Sequence, residues 1–280
     1  MNPRLAIPFY LGLGASAARG RYPDCSVRAA VGHEPELIRA LLLTYRGEGG
    51  EARVVRINHR CAEITLPGRA GSDGRRFFFK EFPRQHALHD LERALRLSRV
   101  DRAWRAAHLL PRLGINTPAA VGTGAARGLD GRIIEYLATE WLEGARPFPD
   151  VVGEAKSAEE RLTLLCEFAR SLRLWHDQGV YLRDLVRNVL VVGARPSTRP
   201  AGKHAVPLPS GALGAGRTYW LTDLDGLHPA KRVTRERVLW HMRQLAHYVG
   251  PVAAGEPEHI CLAYGGRPDP AVIAAVSRIS

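Results

Sequence analysis

An aspartate and an asparagine, Asp184 and Asn188, close the run His176-Asp177-Gln178-Gly179-Val180-Tyr181-Leu182-Arg183-Asp184-Leu185-Val186-Arg187-Asn188, directly before the apolar stretch Val189-Leu190-Val191-Val192. Upstream, Lys80 ends the aromatic run Phe77-Phe78-Phe79, and downstream Trp220-Leu221-Thr222 delivers Asp223, with Asp225 just beyond it. An amine, carboxylates and an amide are what phosphoryl transfer asks of a protein: a cation for the phosphates, oxygen ligands for magnesium, and a base near the acceptor hydroxyl. In that chemistry Lys80 steadies phosphates, Asp184 accepts the hydroxyl proton, and Asn188 and Asp223 hold the metal. An acid directly after an apolar strand sits at the strand's end, facing a cleft. Asp225 points the same way if the chain stays extended, and so assists Asp223 or holds the loop. Each residue also has an ordinary reading. Lys80 can be a strand-end lysine in water, Asp184 can cap a turn or pair with Arg183 or Arg187, and Asp-x-Asp-Gly can be a simple turn.

The elements that must position these groups are legible in the hydrophobic pattern. Residues 53–57, 62–66 and 76–82 read as three short strands separated by polar turns. Residues 88–110 read as one long helix stopped by Pro111, with Val100, Ala103, Trp104 and Ala107 on its apolar face. Residues 132–142 supply one more strand or a pair, closed by a turn at Glu143-Gly144. Residues 158–178 form a helix that buries Leu162, Leu165, Phe168, Ala169, Leu172 and Trp175 and leads into the Asp184 loop. Residues 193–217, dense in glycine and proline, read as a surface insertion. A strand at 218–222 and a helix at 235–249 follow. Before residue 50 the one periodic segment is a short helix at 34–44. The chain thus divides into an N-terminal extension (1–50), a β-rich lobe with one main helix (51–143) and an α-rich lobe (144–280).

Composition bounds the rest. A chain of 280 residues with 45% apolar and 24% charged residues is an ordinary globular protein able to bury a substantial core. Cys25, Cys61, Cys166 and Cys261 are scattered, which argues against a zinc site or a disulfide framework and fits a reducing compartment. The net charge of +12 predicts attraction to a polyanion. Without any nucleic-acid-binding signature and with few aromatics, it points to an anionic lipid or glycolipid surface rather than nucleic acid. No run reaches the ~20 apolar residues that span a bilayer. The apolar segment 5–14, followed by Ala15-Ser16-Ala17, mimics a secretory signal, but Pro8 interrupts it and a single arginine precedes it. The expectation is a cytoplasmic protein in peripheral contact with the inner face of the cell membrane.

From about residue 52 onward the chain resembles the lipopolysaccharide core kinases, the Kdo and heptose kinase group of the protein-kinase-like superfamily. The residues that carry the resemblance are Phe79-Lys80-Glu81-Phe82, the helix Arg99-Val100-Asp101-Arg102-Ala103-Trp104-Arg105, the turn Leu113-Gly114-Ile115-Asn116-Thr117-Pro118, the hinge-like Thr139-Glu140-Trp141-Leu142-Glu143-Gly144, the Asp184 loop, and Leu221-Thr222-Asp223-Leu224-Asp225. The resemblance implies an α+β, two-lobed protein-kinase-like fold, ATP and magnesium as cofactors, and a sugar hydroxyl of an anionic, lipid-anchored inner core as acceptor. It implies that Glu140 and Leu142 flank adenine and that Asp101, or the earlier Glu92, partners Lys80. The arginines Arg93, Arg96, Arg99, Arg102 and Arg105, recurring every third residue, offer attraction for an anionic acceptor.

The chain departs from that family's pattern in several places. Ile57-Asn58-His59-Arg60 stands where a glycine-rich phosphate loop belongs, the Asp-to-Asn spacing is one residue short, and Leu182 replaces the histidine that precedes the base by two. These departures keep two alternatives open: a catalytically inactive pseudokinase binding module, and a kinase with a protein or small-molecule acceptor. The short stretch 227–232 after Asp225-Gly226 argues against a regulated protein kinase.

Overall fold

A computed structural model describes residues 17–23, 25–48, 52–67, 74–83, 89–95, 97–127, 132–193, 216–229, 232–250, 253 and 255–277. The apolar segment 5–14 and most of the glycine- and proline-rich insertion lie outside the described residues. In chain order the elements are β1 (Ala17–Arg21), β2 (Cys25–Ala30), α1 (Pro35–Tyr45), β3 (Arg53–Arg56), β4 (Cys61–Leu66), β5 (Arg75–Phe82), α2 (His89–Ala94), α3 (Arg99–Leu109), β6 (Ala120–Arg127), β7 (Ile133–Glu140), β8 (Arg146–Pro147), α4 (Phe148–Gly153), α5 (Ala158–Asp177), β9 (Val180–Leu182), β10 (Val189–Val192), β11 (Thr218–Leu221), β12 (Leu227–Pro229), α6 (Arg235–Val249), α7 (Glu256–Gly265) and α8 (Pro270–Ser277).

A seven-stranded sheet, in the order β1-β2-β6-β7-β5-β4-β3, makes the first lobe. Every neighbouring pair in it is antiparallel. Strand alternation sorts its side chains: Phe77 and Phe79 of β5 join a core beneath α1 with Ile38, Leu41, Leu42, Ile64 and Tyr136. Phe82, of the opposite parity, joins the larger core with Trp104, Leu137 and Phe168. Residues 17–48 are therefore part of the lobe's packing. They add two strands to the sheet and, in α1, the cover for one of its faces. Close approach of α1 to β6 depends on Gly122, where a Cβ would collide with the Ile38 side chain and lie 2.7 Å from the Arg28 carbonyl.

Residues 88–110, expected as one helix, are two. Ser98 accepts the Asp101 N–H (3.3 Å) and starts α3 afresh, with extended backbone at φ −62° and ψ 165°. The apolar face read from the sequence does pack, since Val100, Ala103, Trp104 and Ala107 are all buried. The second lobe is helical around α5, whose Phe168 stacks on Phe148 at 4.3 Å and meets Trp175 edge-on at 6.1 Å. Two small sheets, β11-β10-β8 and β12-β9, lie on it and carry the polar loops. Among the described residues no helix is long and apolar enough to cross a membrane.

If α1 is an integral cover of the sheet, Gly122→Ala should destabilise the whole protein by about 1–3 kcal/mol, the usual cost of overpacking. Urea unfolding measures this directly. An unchanged midpoint would mean that α1 does not sit on β6 as described.

Candidate active site

Lys80 owes its place to strand alternation. With Phe77 and Phe79 turned to α1, Lys80 and Phe82 face the gap between the sheet and α3, and the ammonium lies 5.0 Å from the Phe82 ring centroid. Its side chain is 17% exposed and forms ion pairs across the lobes, with Asp223 Oδ1 and with Asp225 Oδ1 at 3.3 Å. The expected partner, Asp101, is elsewhere. It is buried, accepts a hydrogen bond from Arg28 Nη2 at 2.7 Å, and is bound by the Ser98 hydroxyl at 3.0 Å. The carboxylates that hold Lys80 come from the second lobe. The helix turn of Asp101 points at the edge strands instead, toward the arginine that β2 supplies.

Asp223 follows β11 with φ 54° and ψ 51°, the one non-glycine residue with positive φ among the described residues. Such a conformation costs of order 1–3 kcal/mol and persists only where its surroundings impose it. Asp225, 6% exposed, accepts Arg99 Nε at 2.5 Å on Oδ2, and its carbonyl accepts Arg102 Nε at 3.3 Å. Arg99 and Arg102 of the basic helix are thus turned onto the Asp225 loop, while the side chains of Arg93 and Arg96 lie outside the described residues. The two aspartates are electrostatically distinct. Burial in the cleft and a side-chain hydrogen bond with Asp225 push Asp223 above its ordinary value, against the pull of Lys80. With 42% of the Asp223 side chain open to solvent, the neighbouring Asp225 carboxylate carries that rise more than burial does. Burial acts upward on Asp225 too, but the hydrogen bond with Asp223 and the charges of Lys80 and Arg99 outweigh it and hold Asp225 low.

Register brings Asn188 to the same place. Val189 of β10 pairs with Leu221 of β11, so Asn188 stands opposite Thr222, whose N–H and hydroxyl both donate to the Asn188 carbonyl at 2.9 and 2.8 Å. The short Asp-to-Asn spacing is met by a 3-10 turn, Val186–Asn188, closed by Asn188 N–H on Leu185 O at 3.0 Å. Asp184 is exposed in the preceding turn, and its side chain makes no hydrogen bond or ion pair among the described residues. From α6, Trp240 Nε1 (3.0 Å) and Gln244 Nε2 (2.5 Å) donate to the carbonyl of Arg183 and fix that turn from behind. Nothing in the local sequence signals these two residues, or Thr222, as part of the site. Arg99 was visible, but as one of a row of arginines rather than as the partner of Asp225.

Glu140 and Leu142 lie where β7 leaves the sheet. Glu140 N–H donates to Ala119 O at 2.9 Å, Trp141 N–H to Arg76 O at 3.2 Å, and Ala145 N–H to Leu142 O at 3.3 Å. Gly144 turns the chain with φ 66°, and Arg76 clasps Glu143 at 2.8 Å. The 57–60 turn is not a phosphate loop in its backbone. Asn58 Oδ1 takes the N–H groups of Arg60 (2.8 Å) and Cys61 (2.9 Å), and the Ile57 and Asn58 N–H groups bond Cys61 O.

Among the described residues no group of three or more His, Cys, Asp or Glu could hold a metal by itself. Magnesium binds through one or two carboxylates completed by substrate phosphates and water, so the Asp223 carboxylate and Asn188 amide suit it when nucleotide supplies the remaining oxygens.

No family model matches the chain, and a search of curated proteins finds no significant match. Solved structures do match. WaaP in complex with acyl carrier protein superposes with a TM-score of 0.53 at 17% identity, over 84% of this chain and 88% of that one. The fold is thus α+β and kinase-like, a β-sheet lobe beside a helical lobe as in WaaP.

Asp225 is held below 3.8, so its charge stabilises the fold above the ordinary carboxylate range. That contribution fades as pH falls through its depressed value. Asp225→Asn should therefore melt below wild type at neutral pH, with the gap closing as both are taken well below 3.8. A gap that stays constant across that range would show that Asp225 acts through shape alone.

Proposed function

We propose that this chain is an ATP- and magnesium-dependent kinase acting on a sugar hydroxyl of the lipopolysaccharide inner core. The observation that carries the reading is the meeting of Lys80 from the sheet with Asp223 and Asp225, one residue from the point where Thr222 grips Asn188. Amine and carboxylates meet from separate stretches of sequence, with the Asn188 backbone held one residue away, and likeness to WaaP supports the kinase class. Lys80, already screened by a phenylalanine face and held by two carboxylates, moves from Asp223 to nucleotide phosphates. Asn188 and Asp223 would hold magnesium, and the ion would supply positive charge to the transferring group. Asp225 stays with Arg99 and keeps the loop in place. Asp184, free of side-chain partners among the described residues, accepts the proton of the attacking hydroxyl as the new oxygen–phosphorus bond forms and the bond to the leaving diphosphate breaks. The segment at Glu140 to Leu142 borders adenine. The net charge of +12 draws the enzyme to an anionic glycolipid and to the inner face of the membrane that displays it.

One observation favours a second reading, a nucleotide-binding module without catalysis. The turn at 57–60 has spent the N–H groups of residues 57, 58, 60 and 61 on itself, so phosphates there meet side chains rather than a backbone cradle.

The deciding experiment is transfer of label from the γ-phosphate of ATP to purified lipopolysaccharide, with a protein lysate as competing acceptor. Wild type should label the glycolipid in magnesium and lose the activity on chelation. Asp184→Asn should turn over roughly 10²- to 10⁴-fold more slowly. Near wild-type turnover in that variant would remove Asp184 from the role. Label on neither acceptor, with ATP still bound, would favour the binding module.

A further inference from the structure

With no partner for the Asp184 side chain among the described residues, its position is set by the backbone before it. The resembled pattern has a histidine two residues ahead of the base; this chain has Leu182, 2% exposed and given over to the core. The Leu182 carbonyl, however, receives His241 Nε2 at 2.8 Å from α6. His241 Nδ1 lies 2.8 Å from His176 Nε2 on α5, and His176 Nδ1 lies 2.7 Å from the Tyr264 hydroxyl on α7. Tyr181 also stacks on His241 at 5.0 Å, and the His241 and His176 rings lie within 20° of one plane with centroids 5.0 Å apart, the arrangement of an in-line ring-to-ring hydrogen bond. His241 is fully buried and His176 nearly so.

Donor and acceptor rules leave one proton arrangement for neutral rings. A carbonyl only accepts, so His241 carries its proton on Nε2 and offers a lone pair at Nδ1. His176 must then donate from Nε2, which leaves its Nδ1 to accept the hydroxyl proton of Tyr264. Burial keeps both imidazoles neutral, lowering His241 to about 4 and His176 to about 2, while it raises Tyr264 to about 12. A break anywhere strands a buried polar atom.

We propose that Tyr264, His176 and His241 form a one-directional hydrogen-bond chain that positions the Asp184 turn, in place of the histidine missing at residue 182. The proposal rests on the kinase reading of Asp184 above. His241 is a positioning residue. It touches no reacting atom, and acts by holding the Leu182 carbonyl while Trp240 and Gln244 hold that of Arg183. Successive carbonyls gripped from one helix leave the turn little freedom at the residue that must meet a hydroxyl within hydrogen-bond reach. The chain draws one member from each of α5, α6 and α7, so it also ties the turn to the three helices behind it.

Two measurements test it, one of them independent of activity. In protein labelled with ¹⁵N-histidine, long-range proton–nitrogen spectra should show His176 and His241 neutral, with the proton on Nε2, between about pH 5 and 8. Either ring charged in that range, or His241 protonated on Nδ1, overturns the chain. Tyr264→Phe removes a single oxygen and should shift the His241 Nε2–H resonance; an unmoved resonance overturns the coupling. In label transfer, His241→Phe should lower kcat by about 10- to 100-fold with KM for ATP little changed. His241→Gln, which can still donate to Leu182 O, should keep most of the rate. Wild-type kcat in His241→Phe, or equal losses in both variants, overturns positioning. If wild type transfers no phosphate, the kinase reading fails and the spectra alone decide whether the chain exists.

Discussion

The arrangement depends on a set of opposed charges where the two lobes meet. Lys80 and Arg99 come from the sheet lobe and Asp223 and Asp225 from the helical lobe, and neither pair is at rest without the other. Two carboxylates this close repel, which is why the chain makes them unequal. Asp225 is buried and kept ionised by a guanidinium, whereas Asp223 is left more open and more easily protonated. The division has a chemical use under the proposed reading. The carboxylate that Arg99 secures can serve as a fixed strut, and the other can exchange partners when phosphates arrive. The left-handed backbone at Asp223 belongs to the same design, since a strained residue held next to a secured one is placed by its neighbour rather than by its own preference.

Fixing Lys80 against that set requires a sheet that is covered on both faces. The phenylalanines of β5 make it apolar on both faces, Phe77 and Phe79 on one and Phe82 on the other, and it needs α1 on one side and α3 on the other. Capping at Ser98 decides where α3 starts and hence which of its residues face the cleft. The Ser98 hydroxyl also reaches Glu135 at 3.2 Å, tying the start of α3 to β7. The packing of the first lobe and the direction of Arg99 are thus one problem solved together.

Much of this was legible in sequence because it is periodic. The alternation in 76–82, the apolar face of residues 100–107 and the helix leading to the Asp184 loop all appear within a residue or two of where they were read. Lys80, Asn188, Asp223 and Asp225 could be singled out because each lies in or just beside a short apolar strand, a place periodicity can mark. What escaped was non-local. That Asp101 would be claimed by Arg28 cannot be seen without knowing that β2 lies beside β6, since strand order leaves no trace in local pattern. That α2 stops at Ala94 and α3 starts afresh from Ser98 was hidden because arginine and leucine are good helix formers, and a single serine cap outweighed them. Trp240, His241 and Gln244 read only as one more amphipathic helix, for their role is defined by carbonyls some sixty residues earlier.

The loop between α3 and β6 crosses to the second lobe without belonging to it. Leu221 N–H donates to Asn116 O at 2.9 Å, Thr117 Oγ1 to Leu221 O at 2.8 Å, and Asn116 Nδ2 to Tyr219 O at 3.4 Å. With the ion pairs of Lys80 and Arg99 and a hydrophobic core that runs from Phe82 and Trp104 into Phe168 and Leu221, this loop ties β11 to the first lobe by backbone as well as by charge and packing. The strand that delivers Asp223 is thus anchored on both lobes, and its position does not rest on the Lys80 contact alone.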